Sequence, residues 1–79
     1  MNLNQEFLEE VELLNLFDLH SSLEGLKIHQ EAAPERIAAA KRLFEKNIVT
    51  LEDGGFLTSL GVEAAEHAQA LVTMLRIKS

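Results

Sequence analysis

IVTLEDGGFLTSLG, residues 48–61, is the stretch on which the reading of the chain turns. Two short apolar runs, 48–51 and 56–58, flank Glu52-Asp53-Gly54-Gly55. β-Branched and apolar residues interrupted by an Asp-Gly turn are the strongest local signal for a β-hairpin. A helical pattern precedes this stretch and another follows it. Helix, tight hairpin and helix in that order predict a small α+β domain.

Working outward, 79 residues are enough for one domain, and 47% hydrophobic content is enough for one core. A chain this short buries a modest share of its surface, so efficient packing or dimerisation is expected. It has no cysteine, which excludes disulfides and cysteine-based metal or redox sites. The start, MNLNQEF, lacks the basic and apolar regions of a signal peptide, and no apolar run reaches the length of a membrane span. The expectation is a cytoplasmic protein with no membrane partner.

The net charge of −6 disfavours a generic nucleic-acid binder, but the charge is unevenly spread. Residues 1–25 carry six acids and no base, and residues 50–75 carry four acids and no base. Between them, residues 26–49 hold Lys27, Arg36, Lys41, Arg42 and Lys46 against Glu31, Glu35 and Glu45. This is the net-basic block of the chain.

A first helix is predicted from about Asn4 to Asp18, capped by Asn2 or Asn4, with Phe7, Val11, Leu14 and Phe17 on its core face. Leu13 and Leu16 fall outside that stripe and widen the apolar surface, as suits a central helix or a dimer seam. His20-Ser21-Ser22 breaks the pattern. Alternation at Leu26-Lys27-Ile28-His29 suggests a short strand, with a short helix at 22–27 as the competing reading that Gly25 disfavours. Pro34 opens a helix running to about Lys46, with Ile37, Ala40 and Phe44 as its core stripe and Leu43 at the edge. Glu35, Ala38, Ala39, Lys41, Arg42, Glu45 and Lys46 fall on its opposite face. After the hairpin, Thr58 or Ser59 caps a last helix to about Leu75. Gly61, Ala64, Ala65, Ala68, Leu71, Val72 and Leu75 share one of its faces, and the 64, 68, 71, 75 spacing is heptad-like.

Few constellations suggest chemistry. His20, His29 and His67 do not share the spacing that puts two imidazoles on one helical turn, so no metal site is expected. There is no phosphate-cradling glycine loop and no nucleophile elbow, so neither an enzyme nor a cofactor or small-molecule site is indicated. With no Trp or Tyr, and with Phe7, Phe17, Phe44 and Phe56 read as core residues, no aromatic platform for single-stranded nucleic acid is expected. Duplex DNA remains, through Arg36, Lys41, Arg42 and Lys46 on the 34–46 helix, with Arg42 and Lys46 one turn apart. Glu35 and Glu45 interrupt that face, and the hairpin tip Glu52-Asp53 is acidic.

The segment from Arg42 to Val49, followed by Asp53-Gly54-Gly55-Phe56-Leu57-Thr58 and Gly61, resembles the end of bacterial winged-helix regulators. In those proteins a recognition helix runs into a wing that closes with L-T-x-x-G before a final helix. Asn47 stands where such helices commonly stop on Gly. The whole chain is also similar to a small uncharacterised bacterial family with the blocks SSLEGLKIH (21–29), AAPE (32–35) and DGGFLTSLGVEAAEH (53–67), whose members are sometimes labelled DNA-binding. The resemblance implies a winged-helix-like α+β fold of about three helices with a two- or three-stranded antiparallel sheet. It makes Pro34–Lys46 the recognition helix. One departure is that a break and a strand occupy residues 19–33, where a helix–turn–helix has its first full helix.

Two functions are consistent with this sequence. One is a small regulator that binds duplex DNA through residues 34–46. The other is a protein-interaction or homodimerisation module with the same fold and no DNA binding. A continuous positive patch around Arg36, Lys41, Arg42 and Lys46 would favour the first, and a neutralised one the second.

Overall fold

A computed structural model describes residues 4–20 and 25–76. The elements are α1 (Gln5–Leu14), β1 (Leu26–Lys27), α2 (Pro34–Glu45), β2 (Val49–Leu51), β3 (Gly54–Leu57) and α3 (Ser59–Arg76). The strands form one antiparallel sheet in the order β1-β3-β2. Three helices against such a sheet give an α+β, winged-helix-like arrangement. Leu26 and Lys27 form a strand, shorter than the Leu26–His29 alternation suggests; residues 22–24 of the competing helix at 22–27 lie outside the described residues.

The stretch 48–61 does contain the hairpin, at residues 49–57, and its flanking residues anchor the neighbouring helices. Glu52 and Asp53 make the exposed tip, while Gly54 and Gly55 belong to β3. Gly54 is required by more than the turn. Its φ is 118°, and a Cβ there would lie 2.2 Å from the Leu26 carbonyl oxygen, where β1 crosses β3. Thr58 fastens the hairpin to the helices on either side. Its hydroxyl donates to the Asn47 carbonyl at 2.6 Å and accepts from the Gly61 amide at 2.9 Å, so one side chain holds the end of α2 and caps α3. Asn47 adopts the left-handed conformation (φ 62°) and stops α2, as the sequence suggests.

The core holds Leu13, Leu14, Phe17, Ile28, Ala39, Ala40, Leu43, Ile48, Val49, Ala65 and Ala68. Asn4 caps α1 by accepting from the Phe7 amide. The helix is shorter than expected, ending at Leu14, and Phe17 reaches the core from the following loop. The Leu14 and Phe17 carbonyls accept from Gln69 Nε2 on α3 at 3.1 and 2.7 Å, which compensates groups left open where α1 ends.

Two core faces differ from the sequence expectation. On α1, Leu13 is the most deeply buried large side chain, whereas Phe7 and Val11 are only half-buried. On α2 the buried residues are Ala39, Ala40 and Leu43, and Ile37 and Phe44 turn outward. The reason is size and contact. α1 meets α2 on the side that carries Arg42 and Lys46, where small Ala39 is fully buried, whereas Ile37 and Phe44 lie toward the hairpin and line an open groove. On α3, Gly61, Ala65 and Ala68 pack inward, and Leu71 and Leu75 of the expected heptad face remain exposed.

Candidate functional site

The four cations expected to act together are divided between two settings. Glu10, on α1, is 6% exposed and faces α2. Its carboxylate accepts from Arg42 Nε at 2.9 Å and from Lys46 Nζ. Arg42 also donates from Nη2 to the Glu6 carbonyl at 3.2 Å, and its Nη1 lies 3.8 Å from the Glu6 carboxylate. Lys46 Nζ stands 5.5 Å from the centre of the Phe7 ring, within cation–π range. The Glu10 hydrogen bond, more than any other influence, pushes the Arg42 pKa further above its already high value, so the guanidinium is always charged. Arg42 is therefore half-buried and committed to α1, which corrects its expected place on the exposed face of α2. The neutralising acids are Glu10 and Glu6, where the sequence pointed to Glu35 and Glu45.

Arg36 and Lys41 are exposed, and among the described residues neither forms an ion pair. Lys41 borders a groove of about 1060 Å³ between α2, the end of β1 and the hairpin. Ile28, Ile37, Ala40, Phe44 and Leu51 give it an apolar lining. Ile37, Phe44 and Leu51 are 40%, 38% and 55% exposed, a cluster of large apolar side chains left open to solvent. Lys27, Lys41, Glu31, Glu52 and Asp53 add charges of both signs to the lining. Arg36 lines an adjoining depression with Leu16, Leu26 and Ala32, which shares Lys27, Ile28, His29 and Glu31 with the groove.

The outward surface of α2 beside the hairpin thus combines an open apolar strip, two cations without acid partners and three nearby carboxylates. The model of one family matches residues 1–76. The chain belongs to DUF5669, a family of unknown function. No curated protein and no solved structure matches it. For this DUF5669 chain, any functional assignment therefore rests on its own geometry. Among the described residues, no helix is long and apolar enough to cross a membrane.

Sequence reasoning missed Glu10, which reads as one of several surface acids in the first turns of α1. The available signal was its spacing. Glu10 precedes Leu13, Leu14 and Phe17 by three, four and seven residues, which puts it on the face that packs inward. It missed the groove because Ile37 and Phe44 carry an unambiguous apolar period. Periodicity identifies a stripe, but it does not say which neighbour the stripe meets.

Proposed function

We propose that this chain is a protein-interaction module on a winged-helix-like frame, acting through the groove between α2 and the hairpin. The observation that carries this reading is Glu10, whose carboxylate engages both Arg42 and Lys46. A helix that grips duplex DNA needs cations free to displace counterions at phosphates. Two of the four on α2 are instead used to hold α1, and the hairpin tip beside the groove presents Glu52 and Asp53. An open surface that combines large exposed apolar side chains with charges of both signs has the composition of a protein interface.

Titration with duplex DNA at about 50 mM salt, where electrostatic affinity is strong, tests the assignment. No binding is expected. Binding that weakens steeply with added salt and disappears in R36E/K41E would overturn it in favour of a DNA-binding regulator. That reading draws its support from the unpaired Arg36 and Lys41.

A further inference from the structure

The interaction reading leaves the occupant of the groove open, and a second exposed surface of the same chain supplies one. The last turns of α3 are bare. Leu71, Met74 and Leu75 are 53%, 65% and 76% exposed, and the groove includes no residue of α3. These three positions have the i, i+3, i+4 spacing with which an amphipathic helix seats its anchors in an apolar groove. Arg76 follows directly, and the sequence adds Lys78. We propose that the end of α3 from one copy of the chain docks in the α2–hairpin groove of a second copy.

Charge favours this fit. The groove lining includes Glu31, Glu52 and Asp53, none of which has an ion-pair partner among the described residues, and Arg76 brings the opposite charge. Lys27 and Lys41, also in the lining, suit the carbonyl-rich, partially negative end of an incoming helix. The apolar residues of each surface find in the other the cover they lack in the single chain. Reciprocal docking places two such contacts about one twofold axis and closes the assembly as a dimer.

Direct packing of α3 on α3 is the simpler symmetric alternative, and the stripe Leu60, Ala64, His67, Leu71 and Met74, exposed except at Ala64, which packs partly against the core, has the 4-3-4-3 spacing for it. That seam would bring an imidazole to its middle at His67 and would leave the groove empty. Docking in the groove uses only Leu71, Met74 and Leu75 and keeps His67 in water.

The inference rests on the groove being a protein-binding surface, and sedimentation velocity of the whole chain from micromolar to millimolar concentration tests it. The expected result is a concentration-dependent rise to twice the monomer mass. M74E/L75E, which alters the helix end, and I37E/L51E, which alters the groove, should each remain monomeric, with folding verified by far-UV circular dichroism. Mixing these two variants should restore a one-to-one complex, since one supplies an intact groove and the other an intact helix end. R76E should weaken association in a way that fades as salt rises. A wild-type chain monomeric at every concentration would overturn the proposal, as would a dimer that survives I37E/L51E, or a mixture that fails to associate. A monomer that also ignores duplex DNA would remove the second copy as occupant and leave the interaction reading standing. A monomer that binds DNA would remove both.

Discussion

Removing the two cations that face Glu10 should cost far more than removing Glu10 itself. The Glu10 side chain is 8% exposed, whereas those of Arg42 and Lys46 are 23% and 48% exposed. In R42M/K46M the carboxylate is left buried without a cation, a situation that costs about 3–5 kcal/mol. In E10Q both cations can still reach water. The loss is then limited to charge-assisted hydrogen bonds, about 1–2 kcal/mol after allowing for solvent screening. The triple variant E10L/R42M/K46M replaces the cluster with apolar side chains and should return close to wild-type stability, because the desolvation cost disappears together with the attraction. At about 0.05–0.15 kcal/mol per residue, a domain this small has only about 4–12 kcal/mol in total, so the double variant sits near the edge of folding. Urea and thermal unfolding followed by far-UV circular dichroism, at a concentration low enough to exclude self-association, give the comparison. The double variant should lose at least about 12 °C in Tm, taking about 4–8 °C per kcal/mol for this size. The control is R36M/K41M, which removes two cations that have no acid partner. If R42M/K46M proves no less stable than that control, the claim that Glu10 is a buried carboxylate held by α2 is wrong.

Two further outcomes concern the hairpin and its attachments. T58A removes the hydroxyl that caps α3 and donates to Asn47, and should cost about 1–2 kcal/mol in urea unfolding; an unchanged midpoint would mean that the clasp contributes nothing. At Asn47, N47G should be tolerated and N47V should lose about 1–2 kcal/mol, because a β-branched residue resists the left-handed conformation at φ 62°; equal stability of the two variants in thermal unfolding would contradict that conformation.

The hairpin was legible in the sequence because its determinants are local. Asp53, Gly54 and Gly55 lie between two β-forming runs, Asn47 can stop a helix in the left-handed conformation, and Thr58 precedes Gly61 by the spacing of a cap. Each carries a local signal, a turn, a left-handed stop or a helix cap, that can be read within a few residues along the chain, although the Thr58 bond to Asn47 and the approach of Leu26 to Gly54 add longer-range reasons for the same residues. The helix boundaries of α2 and α3 followed for the same reason. The candidate site was less legible. Arg36, Lys41, Arg42 and Lys46 form one basic group in the sequence, and Glu10 is 32 residues from Arg42. Only the packing of α1 along Ala39 and Ala40 brings the carboxylate to two of these cations and leaves the other two outside. Ile37 and Phe44 lie away from that contact and line the groove. The sequence by itself determined where the chain turns, caps and changes direction. Which face of each helix is buried, and therefore which charges remain available and which apolar residues stay bare, was decided by the tertiary structure, because burial depends on the neighbour a face meets and periodicity carries no record of that neighbour.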